Sequence, residues 1–231
     1  MAAQNLIEKV ADFYCKAMND APGALKFLEK HNLHSLIELF RIGFSSGILC
    51  RILPDDRNLQ DELAAMNLVV EGVETLKNCI TFPVNDVSGI LRGIIGINIS
   101  DGTTLETGFR PLIWNESVLE KHKNIFICDD IISALCIHSA GYINVAAILP
   151  LDINELTERL SKYAAIKVHL AITCENESKY MSLFKDSGIK ANMLRIPDPV
   201  TRLFAHGGAD ELRKSIESAL NTKGESLLEE L

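Results

Sequence analysis

Five carboxylates in the second half of this sequence are spaced so that they could act together. Asp129 and Asp130 follow the apolar run Ile125–Cys128, Glu175 and Glu177 follow Val168–Thr173, and Asp198 follows Ala191–Ile196. Each run is of strand length and β-branched, and each acidic residue stands just past its carboxyl end. If the strands are parallel neighbours, these side chains converge, because ligands of open parallel sheets bind beyond the carboxyl ends of the strands. Carboxylates meeting from separate strands suit a hard divalent cation such as Mg²⁺ or Mn²⁺, which prefers oxygen ligands and keeps several waters. The expected metal ligands are therefore Asp129, Glu175, Glu177 and Asp198. The same residues are open to a plainer reading, because Asp and Glu at helix starts accept free amide hydrogens and complement the helix dipole.

Other reactive residue types are less organised. Six cysteines (Cys15, Cys50, Cys79, Cys128, Cys136 and Cys174) are scattered through apolar sequence without a CxxC pair, so no zinc site is expected and reduced core thiols are. The histidines, among them His138 and His169, have no metal spacing and read as packing or surface residues. Gly207-Gly208 reads as the turn that starts the last helix, and Trp114 with Phe109 as core anchors rather than base-stacking platforms.

The elements that must position the carboxylates alternate regularly. From Asn124 onward come the strand Ile125–Cys128, a helix to Ala140, the strand Val145–Leu149 and a helix from Asp152, whose Asp152-Ile-Asn-Glu155 has capping-box spacing. The strand Val168–Thr173, a helix after Glu177, the strand Ala191–Ile196 and a helix from Gly208 to about Ala219 follow. That rhythm specifies a parallel sheet with right-handed crossovers. The amino-terminal part differs. Leu6, Val10, Phe13, Tyr14 and Ala17 recur at helical spacing, Pro22-Gly23 opens a second helix, and Ser35 with Glu38 predicts a third, capped helix to Phe40 stopped by Gly43. A helical stretch is expected at Asp61–Met66. Cys79–Val84 and Ile90–Ile99, joined by Asn85-Asp-Val-Ser-Gly89, read as a β-hairpin. The expected organisation is a mixed helical and β-hairpin lobe over 1–122, an α/β domain over 123–221 and a polar tail over 222–231.

Composition fits that plan and excludes others. A chain of 231 residues, 47% hydrophobic and 23% charged, is long enough to bury its own core. Apolar runs stay far below the roughly 18 residues of a bilayer span, and the amino terminus lacks the basic start and apolar stretch of a signal peptide, so a cytoplasmic protein is expected. The formal charge of −8 contains no basic lobe, which argues against broad phosphate-backbone binding.

Taken in order, the motifs resemble the catalytic core of bacterial and phage-type DNA primases, in which a Toprim domain follows a mixed helical and β lobe. Ala11-Asp-Phe-Tyr14, Pro22–Leu28, Asn32-Leu33 and Phe40–Phe44 are similar to that family's amino-terminal helical segment. Phe82-Pro-Val84 with Asp86, Gly89, Ile90 and Gly93 resembles its hairpin, Ile127–Leu135 its glutamate-glycine motif, and Pro197-Asp-Pro199 with Leu203, Gly207 and Leu212 its closing stretch. The resemblance covers nearly the whole chain. It implies a Toprim-type parallel sheet flanked by helices and a metal-dependent nucleotidyl transferase of DNA replication acting on nucleoside triphosphates and a single-stranded DNA template. Asp129 and Glu175 would be the catalytic carboxylates, and Arg92 and Arg110 the nucleic-acid contacts.

Departures from the family pattern fall on the same residues. Asp129 stands for a glutamate, Asp130 for a glycine and Ser133 for a second acid. The paired-aspartate motif becomes either Thr173 with Glu175 or Glu175 with Glu177, and Cys79 and Ile97 stand where arginines are usual. A degenerate active site is therefore expected. The alternatives are a non-catalytic module that binds nucleic acid, nucleotides or replication proteins, and a Toprim metal-dependent nuclease. The family's zinc-binding module has no counterpart in the sequence, so a separate zinc module and a replicative helicase are the implied partners.

Overall fold

A computed structural model describes residues 2–108, 113–148, 153–163, 166–172 and 177–221. Phe109, Arg110, Leu149, Asp152, Thr173, Cys174, Glu175 and the tail 222–231 lie outside the described residues. The chain divides into two compact units, Met1–Pro111 and Leu112–Leu231. Ile113–Trp114 and Val118–Lys121, which precede the expected boundary at 122/123, are in the second.

The first unit begins with helix α1 (Ala2–Met18). Its buried stripe is Ile7, Val10, Ala11, Tyr14 and Met18, spaced three or four residues apart as one face of a helix requires. Helix α2 (Pro22–Lys30) has proline in its first turn, where the missing amide hydrogen costs nothing. The helix expected over Ser35–Phe40 does not form. Only a 3₁₀ turn, His34–Leu36, is present, and no side chain caps it. The segment is too short to repay nucleation. It ends at Arg41, at φ 51°, with Ile42 N–H donating to the Ile37 carbonyl at 2.9 Å, which is Schellman geometry. Arg41 rather than glycine takes this left-handed position, and its guanidinium binds Asp12 at 2.7 Å and Glu8 at 3.1 Å on α1.

Gly43 is therefore not a helix stop. It opens strand β1 (Gly43–Ser45), and a Cβ there would lie 2.6 Å from the Tyr14 carbonyl carbon and 2.7 Å from the Cys15 nitrogen. Glycine is required because the strand crosses α1 at backbone contact. Helices α3 (Leu49–Ile52) and α4 (Arg57–Ala65) follow. The Asp56 carboxylate caps α4 by accepting from Asn58 N–H at 2.8 Å and Leu59 N–H at 3.3 Å. Strands β2 (Val69–Val70) and β3 (Val73–Glu74) form a small hairpin. Its turn residues Glu71 and Gly72 both have positive φ, as a type I′ turn demands.

The hairpin expected from sequence is present as β4 (Cys79–Asn85) and β5 (Leu91–Asn98). They pair antiparallel with Phe82 opposite Ile95, and the Asp86 carboxylate organises the turn by accepting from Ser88 and Ile90 N–H. With β6 (Thr104–Gly108) they complete a sheet of order β1-β4-β5-β6 among the described residues. Ile7, Tyr14, Leu63, Leu76 and Ile94 belong to the core packed on it.

The second unit contains β7 (Ile113–Trp114), α5 (Val118–Lys121), β8 (Asn124–Cys128), α6 (Ile131–Ser139), β9 (Val145–Ile148), α7 (Ile153–Ser161), β10 (Lys167–Ala171), α8 (Glu177–Asp186), β11 (Lys190–Met193) and α9 (Val200–Asn221). Its sheet has the order β11-β10-β8-β9-β7, parallel except for β7. Strands β8, β9 and β10 are buried on both faces or nearly so, which explains their unbroken apolar sequence. The chain runs from β8 to β9 on one side and then crosses to β10 on the other, so strand order reverses at β8. The last helix starts eight residues before the expected Gly208. Pro199 precedes its first turn, and Gly208 (φ 68°, ψ −161°) is non-helical, so two helical stretches meet at a kink there: one from Val200 that the sequence did not predict, and the expected one that starts at Gly208. Trp114 is buried in β7 opposite Ala147.

Candidate functional site

The reversal of strand order at β8 leaves a crevice beyond the carboxyl ends of β8 and β10, which is where open α/β sheets place ligands. A cavity of about 290 Å³ lies there. It is lined by Asp129, Asp130 and Ser133 after β8, by Ala171 and Ile172 at the end of β10, and by Arg195, Asp198 and Thr201 after β11. Three carboxylates from two strand ends therefore share one space.

Their individual settings differ. Asp130 is the N-cap of α6. Its carboxylate accepts from Ser133 N–H at 2.8 Å and from the Ser133 hydroxyl at 2.5 Å. The plainer reading of a strand-end acid is therefore correct for Asp130, and Ser133 is its capping partner. Desolvation raises the Asp130 carboxyl above its ordinary value; the two Ser133 bonds oppose the rise and the charge of Asp129 adds to it. The residue as a whole is exposed, so the effect belongs to a carboxyl folded back onto the helix start. Asp129, half-buried, precedes it. Its charge also reaches Tyr180 of α8, whose hydroxyl burial, with Asp129, pushes up to about 12.

The other expected ligands are paired with arginines. Glu177, the first residue of α8, binds the Arg195 guanidinium, and Asp198 binds Arg202 of α9 at 3.3 Å. Glu177 is not among the residues lining the cavity, whereas its partner Arg195 is. Glu175 lies outside the described residues. Among the described residues no group of three His, Cys, Asp or Glu side chains is gathered for a metal. Mg²⁺ needs less than that, since it is commonly held by one or two carboxylates, waters and substrate phosphates. Asp129 and Asp198, all-oxygen donors on one cavity, fit that requirement.

Arg195 is the residue that sequence reasoning missed. It stands two residues past β11, at the same kind of strand end as the acids, and a scan for convergent charge of either sign would have found it.

Of the expected nucleic-acid residues, Arg92 is on β5, half-exposed, and binds the Asp86 carboxylate at 2.7 Å. Arg110 lies outside the described residues. His169 is buried with its ring 5.4 Å from Phe126, a packing position. Cys15, Cys50, Cys79, Cys128 and Cys136 are free thiols. No helix among the described residues is long and apolar enough to cross a membrane.

No protein-family model and no curated protein matches the sequence. Solved structures do match in fold. The Aquifex aeolicus primase (zinc-binding and RNA polymerase domains) aligns with 94% of this chain at a TM-score of 0.79 and 16% identity. The E. coli primase catalytic core aligns with 95% at 0.76 and 14%. This chain has the primase catalytic-core fold. A DnaG primase catalytic domain bound to ssDNA also aligns with 95% of the chain, at 0.74 and 14% identity. The chain spans 60% of the Aquifex structure, 79% of the E. coli core and 78% of the ssDNA-bound domain.

Proposed function

We propose that this chain is a primase-like protein of DNA replication, working in the cytoplasm, that engages a single-stranded DNA template and nucleoside triphosphates in support of RNA primer synthesis. The observation that carries this reading is the placement of Asp129, Asp130 and Asp198 around one cavity at the strand-order reversal of a primase-core fold. Mg²⁺ or Mn²⁺ is the cofactor this Toprim-type donor set calls for, with Asp129 and Asp198 as its ligands and Glu175 as the further expected one. Bound there, the cation would neutralise triphosphate charge and favour in-line attack by a primer hydroxyl. Asp129 would accept the proton of that hydroxyl, and Asp130 with Ser133 holds the start of α6 in position. Arg92 and Arg110 are the proposed template contacts, and a separate zinc module and a replicative helicase the proposed partners.

A second reading is a binding module without turnover. The Asp198–Arg202 pair favours it, because it occupies a carboxylate the cation would use. Primer synthesis on a single-stranded template, with Mn²⁺ and a zinc module supplied in trans, separates the two. Ribonucleotide incorporation that Asp129→Asn abolishes supports the enzyme. Template binding, measured by fluorescence anisotropy, without incorporation supports the module.

A further inference from the structure

We infer that Arg195 sets the cation affinity of the strand-end site: paired with Glu177, it holds a fixed positive charge at the carboxylate rim and keeps divalent cations weakly bound. The inference rests on the cavity being a cation-dependent nucleotide site. Arg195 is a basic residue that lines the cavity shared with Asp129, Asp130 and Asp198, and its guanidinium is bonded to Glu177 at the start of α8. An incoming cation is repelled by the guanidinium, which lines the cavity while its partner Glu177 does not. Repulsion between like charges that share a partly solvated cavity persists even at a high effective dielectric constant.

The pair is nevertheless open to exchange. Arg195 has 60% and Glu177 28% of its side chain exposed, so water competes for both and the pair is weak. A guanidinium presents a planar fork that matches phosphate oxygens as well as it matches a carboxylate. A triphosphate entering the cavity draws Arg195 away from Glu177 and offsets its charge, so the cation it brings is no longer repelled. Arg195 is thus a positioning residue, which makes cation binding depend on the nucleotide.

The test is Mn²⁺ binding to the full chain without nucleotide, read by electron paramagnetic resonance of the free ion. Arg195→Gln is expected to tighten binding about tenfold over wild type. Arg195→Lys, which keeps the charge, stays near wild type, and Glu177→Gln does not tighten it. A role confined to fold stability cannot raise an affinity, and Trp114 fluorescence confirms that each variant is folded. If wild type binds Mn²⁺ and Arg195→Gln binds equally or less well, the inference is overturned while the cation-dependent reading stands. If neither binds Mn²⁺, both fall together.

Discussion

Two sets of carboxylates in this chain obey different rules. Glu74 in the first unit and Glu116 in the second are buried, 3% and 1% exposed. Both are heavily partnered: Glu74 accepts from the Ser45 hydroxyl and from Leu49 N–H at 2.8 Å, and Glu116 takes a two-pronged contact from Arg159 and one from the Tyr163 hydroxyl at 3.2 Å. Asp129, Glu177 and Asp198 sit at the rim of the parallel sheet, more exposed. Glu177 and Asp198 are held by arginines whose side chains are 60% and 62% exposed. A buried carboxylate that loses a partner leaves a charge or a donor stranded, so it is fixed for stability. A rim carboxylate loses little when its partner leaves, so it is free to exchange that partner for a ligand.

The contrast is broken most readily at Glu116. Glu116→Gln should destabilise the second unit by about 2–3 kcal/mol, at the lower end for a severed buried pair because Arg159 keeps 32% of its side chain exposed. Denaturant unfolding followed by the fluorescence of Trp114, buried in the same unit, checks this. An effect below half that size would erase the distinction. In the first unit, Glu74→Gln should cost about 1–2 kcal/mol, since an amide cannot accept from both Ser45 and Leu49 as the carboxylate does. Hydrogen exchange of α1, whose Tyr14 hydroxyl is pushed up by burial and then by the Glu74 charge, reads the loss locally.

Asp130 lies between the two classes. Asp130→Ala should cost about 1 kcal/mol through the lost cap. Because its folded pKa is raised, the folded state binds the proton more tightly than the unfolded state does. The stability this group contributes therefore falls as pH rises from its unfolded value, about 3.9, through the folded one. Asp130→Asn, which can still cap, should remove that pH dependence, and comparing wild-type and variant unfolding between pH 3 and 7 would reveal whether the sign is correct. At Asp129 the expected effect is on the ligand: Asp129→Asn should remove cation binding, read by Mn²⁺ electron paramagnetic resonance.

The parallel sheet and its strand ends were legible because strands buried on both faces have unbroken apolar sequence, and the hairpin because Asp86 and Gly89 carry turn chemistry. The Ser35–Phe40 helix does not form because a capping-box spacing marks a start without fixing how far the helix continues. Here Arg41 takes a left-handed conformation that its contacts with Glu8 and Asp12 stabilise, so the chain turns early. The stretch of α9 before Gly208 was missed because Gly207-Gly208 marks the start of the stretch that follows it. At the site, sequence located the acids but not their partners. The Glu177–Arg195 pair joins residues 18 apart across two elements, and no local pattern encodes it.

The central claim is that the rim carboxylates form a cation-dependent nucleotide site. Its most direct test is paramagnetic broadening of amide resonances by Mn²⁺ with a non-hydrolysable nucleoside triphosphate. The account predicts loss of signal centred on the cavity, strongest at Asp129, Asp130, Ser133, Ala171, Ile172, Arg195 and Asp198, and absent in Asp129→Asn. Broadening centred elsewhere, or none at these residues in wild type, would contradict it.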